Sequence, residues 1–289
     1  MKIAIMTDSN SSISQDQAKN EGIFVLPMPF SINGVTKYED IDFTQEEFYD
    51  ALEQGVDIST SQPAVGEVLD FWDKLLQEYD AVVHMPMSSA LSSSYQTAAI
   101  LAQEYDDKVQ VVDNQRIATT LAQAARQAKE MVSAGYTPEK IKEVLESTKK
   151  ESSIYITLET LKYLKKGGRI TPAAAAIGEL LRLKPVLQIQ GGKLDAFSKA
   201  RTKKVAKAIM VKAVRADCLQ RFATNEAGKD MDMAVVYSGD NAEALEYLEE
   251  MRQEFPEAHW EMAPLSLSVA CHIGPGSIAL TCAKHLKIE

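Results

Sequence analysis

The chain has 289 residues, of which 45% are apolar and 25% charged. That composition excludes a disordered chain and a disulfide-stapled miniprotein, and at this length, where single cores stop growing at roughly 250–300 residues, two domains are expected. The net charge of −10 argues against a nucleic-acid or anionic-membrane binder as a whole.

The charge is unevenly spread. Residues 1–150 carry 12 Lys+Arg against 24 Asp+Glu, whereas the remainder carries 19 against 17. Within 162–215 there are 14 basic residues and only Glu179 and Asp195 as acids. Cys218, Cys271 and Cys282 form no C-x-x-C pair and no even set, so neither a zinc site nor a disulfide framework is signalled. The apolar run Ile3 to Met6 is too short for a signal-peptide core, and no stretch reaches the roughly 20 apolar residues of a membrane span. A cytoplasmic protein with reduced thiols and no integral membrane segment is expected.

In chain order, Lys2–Thr7 reads as a strand ending in the polar cluster Asp8 to Ser12. Similar strands recur at Ile23–Leu26, Ala81–Met85 and Val109–Val112. Between them, Thr44 and Glu47 form a capping box before Phe48, while Val65, Val68, Leu69, Trp72 and Leu76 recur at helical spacing. Helices follow at Tyr95–Tyr105 and Ala118–Ala134, and Thr137-Pro138 opens another. This alternation predicts an N-terminal three-layer α/β/α domain with a mainly parallel sheet over 1–155.

Beyond it the pattern loosens. Ile154–Thr157 reads as a strand, Leu158–Lys166 as a short helix, and Ala173–Leu183 as an alanine-rich helix. Val186–Ile189, Gly191-Gly192 and Lys193–Phe197 read as a hairpin. A helix over 203–223, the strand Met233–Ser238, the helix Ala242–Glu254 and strands near Trp260 and Ile278–Cys282 complete a C-terminal α+β domain over 156–289.

Phosphate-loop, dinucleotide, zinc-protease and nucleophile-elbow motifs are missing. What stands out is a set of hydroxyl-rich loops. Ser59-Thr60-Ser61-Gln62-Pro63 precedes the helix with Trp72, a place that suits either plain helix capping or an anion. Ser88 to Gln96, with five serines in seven residues, follows a buried strand, where doubly wound sheets bind ligands; a plain connector is the alternative. His272-Ile273-Gly274-Pro275-Gly276 fixes a tight turn beside an imidazole, structural or ligand-facing. Cys271-His272 makes a poor nucleophile pair, because neighbours in extended chain point apart. Arg169 and Arg201 stand before helix starts, where they suit a phosphate or carboxylate partner, although a solvated face is the usual explanation of dispersed lysines. Asp8, Asp40 and Asp42 lack the spacing of a magnesium site.

In order, T-D-S at 7–9, T-S-Q-P at 60–63, S-S-A-L-S-S-S-Y-Q at 88–96, L-K-Y-L-K-K-G-G-R-I at 161–170 and H-I-G-P-G at 272–276 resemble the DegV family over nearly the whole chain. The resemblance implies a two-domain α/β protein holding one long-chain fatty acid, of palmitate, stearate or oleate type, between its domains. Related members act in phospholipid metabolism as the lipid-binding subunit of fatty acid kinase, presenting the acyl carboxylate to a separate ATP-dependent subunit. By motif, Thr60, Ser61, Ser92, Ser94 and His272 would hold the carboxylate, and Arg169, Arg201 and Lys203 would lie at the site mouth or face the partner. No cofactor, metal or catalytic residue is then required. Two departures stand out: Ser93 where the family commonly has glycine, and Asp113-Asn114-Gln115-Arg116 where it commonly has Asp-Ser. The alternatives are a serine/histidine-dependent acyl- or phosphoryl-transfer enzyme using Ser92 and His272, and a nucleic-acid protein using the 162–215 cluster. That cluster lacks a recognition motif or interleaved aromatics.

Overall fold

The computed structural model describes residues 1–177 and 183–288. The chain divides into two compact units: Met1–Thr44, Gly55–Lys150 and Leu286–Glu289 form the first, and Gln45–Gln54 with Glu151–His285 form the second. The chain passes from the first unit to the second at 150/151, and the helix at 45–54 packs with the second unit.

Through the first unit run β1 (Ile3–Asp8), α1 (Gln15–Glu21), β2 (Phe24–Leu26), β3 (Pro29–Ile32) and β4 (Val35–Tyr38). After α2 (Gln45–Glu53), which is part of the second unit, come β5 (Ile58–Thr60), α3 (Val65–Leu76), β6 (Ala81–Met85), α4 (Ser94–Leu101), β7 (Val109–Val111), α5 (Thr119–Ser133) and α6 (Pro138–Ser147). The main sheet is parallel throughout, in the order β2-β1-β6-β7. Because strand side chains alternate, Ala4, Met6 and Val82 turn to one face, where Val68, Trp72 and Leu75 of α3 and Ala98 of α4 cover them. Ile3 and Ile5 take the other face, and α5 packs on β1. An antiparallel sheet, β4-β3-β5, is an addition that the sequence reading did not contain.

The second unit continues with β8 (Ser152–Thr157), α7 (Lys162–Gly167), α8 (Pro172–Ile177), β9 (Lys184–Ile189), β10 (Asp195–Ala200) and α9 (Lys203–Gln220). It closes with β11 (Met231–Tyr237), α10 (Ala242–Glu254), β12 (His259–Pro264), α11 (Leu267–Ile273) and β13 (Ile278–Lys284). Of the helix expected over 173–183, positions 178–182 lie outside the described residues. The sheet order is β10-β9-β8-β13-β11-β12, antiparallel except for β11 with β12. Met210, Val214 and Cys218 of α9 and Tyr247, Leu248 and Met251 of α10 close over Val186, Met233, Val235 and Leu280. An all-parallel sheet in one unit and a mixed α+β unit after it is the fold class expected above. Among the described residues no helix is long and apolar enough to cross a membrane.

Candidate functional site

In the first unit, three of the motif segments converge where the parallel strands end. The Asp8 carboxylate accepts from the backbone N–H groups of Asn10 (3.0 Å) and Met87 (2.8 Å), and Thr7 Oγ1 donates to the Met85 carbonyl at 2.9 Å. The loops after β1 and β6 are thereby laced together. Burial pushes the Asp8 carboxyl up to about 7, against the pull of the Met87 and Asn10 N–H groups.

The serine loop is braced rather than slack. The Ser88 N–H donates to the Arg116 carbonyl (2.9 Å), and Ser89 Oγ donates to Asp113 Oδ2 (2.7 Å). Ser92 Oγ and Ser94 Oγ lie 2.8 Å apart, and the Ser94 N–H donates to Ser92 Oγ at 3.2 Å. Thr97 Oγ1 meets Gln62 Oε1 at 3.1 Å, tying the second hydroxyl segment to the first. Ser94 is buried, Thr60 and Ser92 are half-buried, and Ser61 is exposed. Ser93 stands at φ −78° and ψ 1°, a conformation open to any residue, so serine in place of glycine strains nothing. The segment 113–116 holds the loop through Asp113 and the Arg116 carbonyl, while Asn114 Oδ1 accepts the Arg116 N–H (3.1 Å).

Capping, the plain alternative for residues 59–62, does not account for them. The residue flanking α3 is Ala64, whose N–H donates to Glu67 Oε2 at 3.0 Å, and Thr60 is instead the last residue of β5. A small cavity of about 10 Å³ lies at the carboxyl ends of β1, β2 and β6, lined by apolar Leu26, Pro63 and Val68 and by polar Asp8, His84 and Ser94. His84 is buried with neither ring nitrogen hydrogen-bonded, edge-on to Trp72 at 5.7 Å between centroids. Burial holds its pKa down to about 3, so the ring is neutral. Of the aspartates weighed as a magnesium site, Asp8 and Asp42 are taken up by backbone N–H groups, Asp42 Oδ1 by that of Tyr38 at 2.6 Å.

In the second unit, the remaining two motif segments pack against each other. His272 lies in the last turn of α11, not in an extended loop as the sequence reading placed it, so the argument that Cys271 and His272 point to opposite sides of a strand does not apply. Gly167 ends α7 beneath the imidazole, and a Cβ there would fall on Nδ1 of His272. Gly274, at φ +77°, lies against the Tyr163 ring in the same way. Burial, then the nearby Arg169 charge, holds the His272 pKa down to about 4, which leaves a neutral imidazole at pH 7.

The basic residues differ from one another. Arg169 turns inward and donates from Nη1 to the Gly167 carbonyl (2.6 Å). Lys203 is ion-paired to Glu243 (2.5 Å) and Glu159 (3.6 Å) and donates to the Gly276 carbonyl (2.9 Å). Lys184 also pairs with Glu159. Partial burial pushes the Glu159 carboxyl up, but the two lysines outweigh it and hold the group below the usual range. Arg201 is exposed at the bend before Thr202, whose Oγ1 caps α9 by accepting the Val205 N–H (3.2 Å), and Lys204 is exposed as well.

The structure thus brings Thr60, Ser61, Ser92 and Ser94 into one unit, and His272, Arg169 and Lys203 into the other. Sequence reasoning missed Gln62 with Thr97, Ser89 with Asp113, and His84. His84 carried a signal, being the one ring nitrogen donor in the otherwise apolar strand Ala81–Met85.

A family model described as "Uncharacterised protein, DegV family" matches residues 2–285. A DegV domain-containing protein of Staphylococcus aureus is 33% identical, with 97% of this chain and 96% of that protein covered. Among solved structures, a DegV family protein of Thermus thermophilus described by its fatty acid binding superposes with a TM-score of 0.89 at 30% identity, covering 98% of this chain and 100% of that one. DegV of Bacillus subtilis, described as a fatty acid binding protein, superposes at 0.86 and 27% identity over 98% and 99%.

Proposed function

Because the chain belongs to the DegV family over residues 2–285, and the solved Thermus thermophilus and Bacillus subtilis relatives are described as binding fatty acids, we propose that it is a non-enzymatic carrier of one long-chain fatty acid. The tail is held by apolar walls. Burial contributes about 0.8 kcal/mol per methylene, so a chain of fifteen contributes on the order of 12 kcal/mol before association and ordering costs are subtracted. The head group then needs only enough donors to offset its desolvation.

The observation that carries this reading is the hydrogen-bonded pair Ser92 and Ser94 at the start of α4. Neutral hydroxyls at a helix N-terminus suit a carboxylate in a unit that is itself acidic. Thr60 and Ser61 are assigned to the same role. A carboxylate held by neutral donors keeps its nucleophilic oxygen, and the carrier presents it to a separate ATP-dependent kinase subunit in the cytoplasm for acyl-phosphate formation. The acyl-transfer alternative requires a hydrogen bond from Ser92 to an imidazole, whereas Ser92 Oγ faces Ser94 Oγ.

Thr60→Ala and Ser92→Ala test the assignment by titration with palmitate and oleate. Each is expected to weaken binding about tenfold, the loss of one hydrogen bond to a charged group, while changing stability by less than about 1 kcal/mol. Equal affinity in variant and wild type rejects these residues as carboxylate ligands.

A further inference from the structure

We infer that the second unit carries a zinc site formed by Asp232, His259 and His285. The three come from separate segments and have no motif spacing, so only the sheet register unites them. Asp232 of β11 pairs with His259 of the parallel edge strand β12 and with Ala283 of the antiparallel β13. His285 lies two residues beyond Ala283, and its N–H donates to the Asp230 carbonyl, which continues the ladder. Side chains two apart share a face, so the carboxylate stands between two imidazoles on one side of the sheet.

The distances fit a first-row divalent ion. His259 Nδ1 is 3.2 Å from Asp232 Oδ1, and His285 Nδ1 is 2.9 Å from Asp232 Oδ2. One ligating atom from each of the three residues lies within 4.8 Å of the others. Tetrahedral zinc with bonds of about 2.0–2.1 Å spaces its ligand atoms roughly 3.3 Å apart, close to the spacing each imidazole keeps from its own oxygen of the Asp232 carboxylate. The remaining spacings, within 4.8 Å, close by rotation of His259, whose side chain is 72% exposed. The two imidazoles already meet edge to face at 5.9 Å between centroids. Two nitrogens and a carboxylate oxygen select zinc and its neighbours over magnesium or calcium, which take oxygen ligands; a water completes the shell. On binding, zinc takes the Nδ1 lone pair of each neutral imidazole, whose proton is then carried on Nε2, so the ring stays neutral. The ion would tie the edge strand β12 and the residue after β13 to β11. Asp232 lies at the start of β11, far along the strand from the Gly274–Gly276 turn that adjoins its end through Ser238. This is therefore a site of its own, independent of fatty-acid binding.

The test is calorimetric titration of chelator-stripped full-length protein with zinc chloride, repeated with cobalt(II) while following its visible absorption. One zinc per chain, an upward shift of the melting midpoint with zinc, and loss of about tenfold or more in affinity in each of His259→Ala and His285→Ala are expected. Exposed His259 is the informative position, since His259→Ala is expected to melt as wild type does without metal. No saturable binding in wild type overturns the proposal, as does undiminished binding in the double variant.

Discussion

The two units handle charge in different ways. In the first, hydroxyls and backbone N–H groups are gathered at the ends of parallel strands, and the ionisable groups beside them, Asp8 and His84, are buried without a counter-charge. In the second, glycines let an imidazole and an aromatic ring close onto the backbone, and the charges around them are matched: Lys203 with Glu243 and Glu159, Lys184 with Glu159. The first unit stores its electrostatics in desolvation, the second in ion pairs, so pH should act most strongly on the first.

The largest expected effect follows from that contrast. Asp8, raised to about 7 in the folded protein, binds a proton there that the unfolded chain has released above about 4. Its contribution therefore falls as pH rises from about 4 to 7, by on the order of 4 kcal/mol. His84, lowered to about 3, acts oppositely: the unfolded chain takes up a proton below about 6.5 and the folded one does not, so stability falls as pH drops through that window. Denaturant unfolding of Asp8→Asn between pH 4 and 7 should show stability rising more steeply with pH than in wild type, whereas His84→Phe should move the slope the other way, with stability falling as pH rises. Unchanged slopes in both would break the comparison.

Next in size is Gly167→Ala. The added Cβ falls on the His272 ring, and overpacking of this kind costs about 1–3 kcal/mol. Thermal unfolding should show the loss, and His272→Ala in the same chain should restore most of it by vacating the space, a coupling that a double-mutant cycle reads directly. The smallest effect on stability is expected from reversing the charge at exposed Arg201 and Lys204, within about 0.5 kcal/mol. If these residues face the kinase subunit, acyl-phosphate formation slows with a dependence on salt while fatty-acid binding is unchanged. Lys203 is a poorer choice for that experiment, because its substitution breaks two ion pairs and a bond to the Gly276 carbonyl.

Much of this was legible in the residues. The strands of the parallel sheet, the hairpin of β9 and β10 with its two glycines, and α10 at Ala242–Glu254 follow from local pattern and turn chemistry. The hairpin of β3 and β4 was legible too, since Asn33-Gly34 stands between Ile32 and Val35 and takes the positive φ values, 50° and 83°, that a two-residue turn demands. The helical setting of His272 was hidden by the glycines that follow, which mark the end of α11 rather than a free loop. The serine loop announced itself as hydroxyls after an apolar strand, but its braces, Asp113 and the Arg116 carbonyl, are more than twenty residues away and only tertiary structure supplies them. The same holds for α2, whose place in the second unit depends on long-range packing, as in the hydrogen bond from Gln45 Nε2 to the Leu265 carbonyl.

Native mass spectrometry of the purified protein, followed by extraction of its lipid, tests the central claim most directly. The account predicts one added mass per chain matching a long-chain fatty acid, diminished in Ser92→Ala. A protein that stays free of lipid, and gains no thermal stability from palmitate or oleate, would contradict it.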